Sequence, residues 1–151
     1  MACARLQEYL DEQGVRYVSI KHSPAFTAQE IAASAHIPGQ EVAKTVIVKL
    51  DENMAMVVLP APKMVRMNHL KAETGADRVE LATEEEFKSR FPDCEVGAMP
   101  PFGNLYDMDT FVEESLTEDE EIAFNAGTHT ELIKMAFADF KKLANPRVLR
   151  G

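Results

Sequence analysis

The chain has 151 residues, of which 46% are hydrophobic and 27% charged, and it carries a net charge of −9. No segment approaches the roughly 20 apolar residues of a membrane-spanning helix, and the N-terminal residues lack the apolar centre of a secretory signal, so we expect a cytoplasmic protein without a membrane partner. The acidic balance argues against broad, nonspecific attachment to nucleic acid, which depends on Lys and Arg neutralising many phosphates, but it does not exclude local contact.

Helical and extended patterns alternate from the N-terminus onwards. The first predicted helix ends at Gly14, and the following VRYVSI is typical of a short strand. Thr27 and Glu30 then form a Thr-x-x-Glu capping box, which predicts the start of a second, short helix. Thr27 therefore has a structural role that is independent of any chemistry.

The central part of the chain contains the strongest strand pattern. EVAKTVIVKL and AMVVLP are two β-branched runs on either side of the polar turn DEN, which predicts a β-hairpin. A helix-like NHLKAETG and an extended RVEL follow. Thr83 and Glu86 form a further capping box, which predicts the start of another helix.

The C-terminal part begins with the Gly/Pro loop CEVGAMPPFGN. Extended patterns follow in LYDMDTFV, EEIAFNAG and TELIKMA, and a helix is predicted over FADFKKLAN, where Asn145 precedes Pro146. The whole pattern predicts a mixed α/β protein with a mostly antiparallel sheet, and no linker divides it, so we expect a single domain over residues 1–151.

The cysteines and histidines do not have the spacing of a metal site. Cys3 and Cys94 are far apart and outside any CxxC arrangement, and the four histidines are scattered along the chain. Structural zinc requires paired Cys or His ligands at short intervals. We therefore expect no disulfide, no metal and no other cofactor.

Lys44 is unusual because of its position in a predicted strand. Side chains alternate along a strand, so Lys44 shares a face with Val42, Val46, Val48 and Leu50. A lysine on an apolar face must extend from the strand end to solvent, find a partner, or point into a cavity where desolvation lowers its pKa. The sequence leaves open whether Lys44 reaches solvent or faces a ligand.

Two loop segments are further candidates for chemistry. In VGAMPPFG, Gly97 permits backbone angles closed to other residues and Pro100-Pro101 stiffens the following chain, so the loop could present fixed N–H groups to a carbonyl, or it could be an ordinary turn. In NAGTHTE, His129 lies between two threonines and could hydrogen-bond a substrate or carry a proton, or it could be a loop histidine satisfied by its neighbours.

Two groups of basic residues could contact a phosphate backbone, or could be ordinary solvated surface charges. One group comes after the predicted hairpin and the other is near the C-terminus: Lys63, Arg66 and Lys71; Lys141, Lys142 and Arg147.

Four segments in order, HSPAFTAQEIA, EVAKTVIVKL, VGAMPPFGN and FNAGTHTELIKMAFADFKKLA, resemble the YbaK-like editing domain found inserted in bacterial prolyl-tRNA synthetases and as free-standing proteins. The resemblance covers nearly the whole chain. It implies a mixed sheet curled toward a barrel with helices packed around it. It also implies hydrolysis of mischarged tRNA, bound by its acceptor end, with an aminoacyl-tRNA synthetase or an elongation factor as a further partner.

The resemblance also implies roles for individual residues. The family's signature lysine matches Lys44, and its Gly-x-x-x-Pro loop matches Gly97 to Pro101, which would bind the scissile ester carbonyl. His129 would act near the aminoacyl group. Further substrate contacts are expected from eight residues: His22, Phe26, Thr27, Val46, Ala98, Met99, Gly127 and Thr128.

The competing interpretations are a non-catalytic nucleic-acid-binding or regulatory module of the same fold, and a hydrolase of small free esters. The amino acid that is removed stays open in the sequence, with alanine, serine, threonine and cysteine as candidates.

Overall fold

The computed structural model describes residues 4–21, 41–92, 94–95 and 97–149. Three of the predicted substrate contacts, His22, Phe26 and Thr27, lie outside the described residues, as does the helix predicted to begin at Thr27.

The described helices and strands alternate in the order that the sequence patterns predict. They are α1 (Ala4–Glu12), β1 (Tyr17–Lys21), β2 (Val42–Leu50), β3 (Asn53–Pro60), α2 (Met67–Thr74), β4 (Val79–Leu81), α3 (Glu84–Phe87), β5 (Asp109–Glu113), β6 (Glu121–Asn125), β7 (Glu131–Ala136), α4 (Phe137–Ala144) and β8 (Arg147–Leu149). Short 3-10 turns occupy Lys88–Arg90, Gly103–Leu105 and Glu114–Glu118.

The eight described strands form one mixed sheet in the order β1-β7-β6-β2-β3-β5-β8, with β4 also paired to β2. The hairpin of β2 and β3 is antiparallel, as are the pairs β1 with β7, β6 with β7 and β2 with β4. The pairs β2 with β6, β3 with β5 and β5 with β8 are parallel. These pairings confirm the prediction of a mixed, mostly antiparallel sheet.

Strand β2 changes partner along one of its edges. Its whole length pairs with β3 on one side, so β6 and β4 share the other side. The ladder with β6 ends at Ala43, opposite Phe124, whereas the ladder with β4 begins at Val48, opposite Leu81. The backbone between these ladders, residues 44–47, therefore lies at a fork in the sheet.

Both faces of the sheet are buried, which explains why a simple alternation of apolar and polar residues does not run along β2. Ala43 and Ile47 belong to the main core, together with α4 and the aromatic cluster around Phe102. Val48 belongs to a smaller core on the opposite face, and Val46 and Leu50 pack against it. Lys44 thus shares its face with the smaller core.

The C-terminal end differs from the prediction by one strand. Helix α4 ends as expected, with Asn145 in the left-handed conformation (φ 47°) before Pro146. The chain then forms β8, which pairs with β5 and which the sequence did not indicate because it has only three residues. Among the described residues, no helix is both long and apolar enough to cross a membrane.

The predicted capping box at Thr83 is present and is joined to the sheet by an ion pair. The backbone N–H of Glu86 donates to Thr83 Oγ1, and the Thr83 N–H donates to a carboxylate oxygen of Glu86. The Lys49 ammonium lies 2.6 Å from the other carboxylate oxygen. This ammonium, with the Thr83 hydrogen bonds, lowers the pKa of Glu86 from 4.5 to about 2.

We expect the stability that this carboxylate provides to be complete above pH 4.5 and to be lost as the pH falls from 4.5 toward 2, because a lowered folded-state pKa favours the ionised form. Urea unfolding at a series of pH values measures it. Glu86→Gln should lower the free energy of unfolding at pH 7 and reduce its decrease between pH 4.5 and 2. An unchanged decrease in the Gln variant would contradict the assignment. Glu85→Gln, whose side chain is exposed, is the matched control.

Candidate functional site

Lys44 lies at the fork of β2, beside the point where the partner strand changes. Its cross-strand neighbour on β3 is Leu59, a buried member of the smaller core. Lys44 is half-buried, and this burial lowers the pKa of its amine. Within the described ranges, no hydrogen bond or ion pair neutralises its ammonium. A partly desolvated cation in this position attracts an anion or the oxygen of a polarised carbonyl.

Asn125 connects Lys44 to the Gly97 loop. The last register pair between β2 and β6 is Ala43 with Phe124, so Lys44 and Asn125 occupy the next position and share a face of the sheet. The Asn125 side-chain amide donates to the carbonyl oxygen of Gly97 at 3.5 Å. The strand register therefore brings the predicted loop to the predicted lysine.

The Gly97 backbone has a geometry that only glycine adopts without strain. Its φ is +86°, and a Cβ atom at this position would lie 3.4 Å from Cε1 of His129. The Gly97 N–H points at the thioether sulfur of Met99, at 3.2 Å. Because a thioether is a weak acceptor, this N–H can be transferred to a carbonyl oxygen at little cost.

The loops around Gly97 and His129 are held together by backbone hydrogen bonds. The Glu95 N–H donates to the carbonyl of Gly127 at 2.7 Å, and the Gly127 N–H donates to the carbonyl of Ala98 at 2.9 Å. The Glu95 carboxylate accepts a 2.7 Å hydrogen bond from the His129 N–H. These contacts fix the distance between two segments that are about 30 positions apart in the chain.

The other predicted residues of these two loops are buried or half-buried. Ala98, Pro101 and Gly127 are buried. Ala98 and Gly127 take part in the hydrogen bonds that join residues 95 and 98 to residues 127 and 129, which we call the backbone clamp. His129 is also buried, with 8% of its surface exposed and its ring against Gly97. Thr128 is half-buried, and its hydroxyl lies 3.4 Å from that of Thr130.

A cleft of about 230 Å³ opens at the fork. Its lining includes Val46, Gly97 and Met99, three of the residues predicted from sequence, together with Thr45, Leu81 and Phe87. This volume is below the roughly 300–1,000 Å³ that is typical of pockets for drug-sized ligands, so the cleft suits a small group.

Sequence reasoning missed Asn125 and Glu95 as site residues. Each acts through a contact with a segment distant in sequence, Asn125 with Gly97 and Glu95 with residues 127 and 129. The one available signal is that Asn125 is a polar residue at the end of the apolar run Ile122 to Phe124. Within the described ranges, no three His, Cys, Asp or Glu residues are grouped as metal ligands.

Comparisons with known proteins identify the family of the chain and its fold. A family model described as an aminoacyl-tRNA editing domain matches residues 22–143. The chain is 24% identical over 150 residues to the multifunctional Ser/Thr-tRNA deacylase ProXp-y of Escherichia coli K12, covering 96% of this chain and 89% of that protein. It is 31% identical over 88 residues, 58% of its length, to a proline–tRNA ligase of Bacillus cytotoxicus, of which the match spans only 15%.

Two solved structures have the same fold. A hypothetical protein, APE2540, superposes with a TM-score of 0.86 at 22% identity, covering 95% of this chain and 96% of that one. A proposed trans-editing enzyme for prolyl-tRNA synthetase superposes with a TM-score of 0.82 at 18% identity, covering 97% and 93%. The fold expected from the resemblance is therefore confirmed.

Gly97→Ala should destabilise the protein by about 1–2 kcal/mol, because a left-handed backbone is unfavourable for a residue with a Cβ atom. It should also bring the added methyl group into contact with the His129 ring and so change the environment of the imidazole. Thermal unfolding measures the first effect and NMR of the His129 imidazole the second. Gly75→Ala is the matched control, since Gly75 has a φ of +72° and open space around it. Equal imidazole shifts in both variants would contradict the contact.

Proposed function

The chain belongs to the aminoacyl-tRNA editing domain family, and on that premise we propose that it hydrolyses the ester that joins an incorrect amino acid to the terminal ribose of a tRNA. The observation that carries the proposal is the position of Lys44, a half-buried cation at the mouth of a fork that also receives the Gly97 loop. Both features are those that the resemblance assigns to substrate binding.

The reaction is needed because a synthetase pocket cannot fully discriminate between similar amino acids. One methylene group changes binding in a synthetase pocket by only about 1–3 kcal/mol, so similar or smaller amino acids are sometimes attached and must be removed at a second site. The fork cleft of about 230 Å³ supports a small amino acid as the group removed. Serine and threonine are the leading candidates, because the E. coli relative is a Ser/Thr-tRNA deacylase.

In the proposed mechanism, Lys44 acts as a cation toward the phosphate of the terminal nucleotide or the ester itself. The half-buried position strengthens this attraction, since water screens it less than at an open surface. Its lowered pKa reflects the same burial.

The Gly97 loop would hold the scissile carbonyl. When the ester enters, its carbonyl oxygen replaces the weak Met99 sulfur as the acceptor of the Gly97 N–H. A backbone N–H that is fixed in place stabilises the negative charge that develops on this oxygen during hydrolysis. The backbone clamp through Glu95 and Gly127 keeps the loop in that position.

Water would be the nucleophile, oriented with help from the free ribose hydroxyl of the substrate. The other described candidate, the Cys94 thiol, lies 3.2 Å from the Tyr106 hydroxyl and is not among the residues that line the fork cleft. One ester and one water therefore account for the reaction: the water oxygen bonds to the carbonyl carbon, the ribose oxygen leaves and takes up a proton, and the free amino acid and the deacylated tRNA are released without a covalent enzyme intermediate.

The tRNA acceptor end is the proposed nucleic-acid partner, and selection of the tRNA by a synthetase or an elongation factor is proposed with it. The net charge of −9 supports weak, local binding, which allows rapid release after hydrolysis. A cytoplasmic location follows from this partner.

The direct test is a panel of tRNAs, each charged with a different small amino acid, in single-turnover deacylation assays. We expect hydrolysis of at least one of them and a loss of about 100-fold or more in Lys44→Ala, the size of loss seen when one electrostatic group is removed from an active site. Arg16→Ala, at an exposed position just before β1, is the charge-matched control. Circular dichroism checks that each variant is folded.

Retained activity in Lys44→Ala would refute the role of Lys44. Binding of RNA without hydrolysis of any charged tRNA would instead favour a non-catalytic module, and equal turnover of small free esters would favour a general esterase.

The pH dependence tests the charge of Lys44 separately. A lysine is cationic below its pKa, and burial moves the pKa of Lys44 below 10.5, so catalysed deacylation should decline on the alkaline side earlier than an exposed lysine would allow. Rates are corrected for spontaneous ester hydrolysis. Lys44→Arg keeps its charge and should remove this alkaline decline in any activity it retains. An identical decline in the Arg variant would show that another group titrates.

A further inference from the structure

A cleft of about 290 Å³ opens on the same face of the sheet as Lys44, on the side away from the fork. Its floor is apolar and consists of Val57 and Leu59 of β3 and Leu149 of β8. All three belong to the smaller core. The sequence analysis names Lys63 and Arg66 of its rim as possible phosphate contacts, but neither the sequence patterns nor the family resemblance assigns a ligand to the cleft itself.

The strand register places the cleft directly beside Lys44. Lys44 is opposite Leu59, and Glu113 is opposite Leu149. Leu59 follows Val58, whose partner is Val112, so Leu59 and Glu113 are adjacent as well. The four residues form one row across β2, β3, β5 and β8. With strands about 4.8 Å apart, the row extends roughly 14 Å from Lys44 to Leu149, which is the scale of one nucleotide and its phosphate.

The rim of the cleft is more basic than the rest of this acidic chain. Lys63, Arg66 and His69 line it together with the carboxylate of Glu113, and the His69 ring also lies 3.8 Å from a carboxylate oxygen of Glu73. Lys63 and Glu113 form an ion pair at 3.3 Å between side chains that are 45% and 29% exposed. Such an exposed pair is weak, so a phosphate can compete with the carboxylate for the lysine.

Met64 is also at the rim and is 83% exposed, more than the other two large exposed hydrophobic residues of the described ranges, Val18 and Leu81. A thioether side chain is flexible and polarizable, and it packs well on the face or edge of an aromatic ring. An exposed methionine above an apolar floor therefore provides two surfaces for a flat ring.

We propose that this cleft binds the adenine base of the terminal tRNA nucleotide, the nucleotide that carries the amino acid. The base lies between Met64 and the apolar floor, and the basic rim faces the phosphate backbone. This inference rests on the proposed function, since it assigns a place to the nucleotide whose ester is bound at Lys44. The ligand is the acceptor end of tRNA, and its recognition here depends on a stacked base and a phosphate.

The first test is a binding experiment with a stable analogue of the acceptor end, 3′-aminoacylamido-3′-deoxyadenosine 5′-monophosphate. Methionine methyl groups are labelled with carbon-13, and the Met64 signal is identified by its loss in Met64→Ala. We expect the ring current of the adenine to shift the Met64 methyl signal, whereas the same analogue with hydrogen in place of the base should leave it unchanged. Equal shifts with both compounds, or no shift with either, would overturn the assignment.

The second test is kinetic and uses the mischarged tRNA that the intact protein hydrolyses. Met64→Ala and Arg66→Gln should together raise KM about tenfold and leave kcat within twofold, because one stacked base contributes about this much to binding. Val18→Ala and Arg16→Gln are the matched controls, at an exposed apolar position of β1 and an exposed basic position just before β1. Both should leave KM unchanged.

The outcomes separate the two proposals. If the intact protein hydrolyses a mischarged tRNA but the cleft variants have a normal KM, the cleft assignment is wrong and the function stands. If the intact protein hydrolyses none of the tRNAs, the proposed function fails and the assignment to tRNA fails with it. Tighter binding of adenosine monophosphate than of the aminoacyl analogue would assign the cleft to free nucleotides and overturn the inference.

Discussion

The change of partner along the edge of β2 is the constraint on which the candidate site depends. A strand that keeps one neighbour along its length has no opening at that edge, but β6 ends at Asn125 and β4 pairs only from Val48. The loop that contains Gly97 reaches the sheet at this interval, through the amide of Asn125. The fork thus brings an exposed glycine, a buried histidine and a half-buried lysine into one region without distortion of the flanking strands.

Binding of a carbonyl at the fork requires that the loops around Gly97 and His129 keep a fixed position relative to each other. The backbone clamp between residues 95–98 and 127–129 ensures this, since each of its hydrogen bonds joins the two loops directly. Ala98 and Pro101, which belong to the Gly97 loop, are buried and limit its movement further. Preorganisation of this kind is what makes a backbone N–H effective toward a developing oxyanion, because no reorganisation is needed when the charge appears.

Local patterns predicted the elements well and the site only in part. The Thr83–Glu86 capping box, the end of α4 at Asn145 and the face of Lys44 depend on neighbours within a few positions, and the structure confirms all three. The contacts of Asn125 and Glu95 depend on the register between distant strands and loops, which alternation within one strand does not specify. Strand β8 escaped prediction for the same reason, since three residues form a strand here only because β5 is there to pair with them.

The row across the sheet relates Lys44 to the two clefts, which the alternation of side chains along β2 alone could not show. Lys44 lines neither cleft itself, but Val46, two positions along β2, lines the fork cleft, whose volume suits a small side chain, and Leu59, its partner on β3, lines the larger cleft with the basic rim. An aminoacyl ester has the same division, with a small amino acid on one side of the carbonyl and a nucleotide on the other. A cation between the two clefts would then meet the substrate at the junction, where the ester and the terminal phosphate are both within reach. The acidic surface elsewhere is compatible with this arrangement, because binding needs only Lys44 and the basic residues at the rim of the larger cleft, and weak attraction outside them favours release of the product.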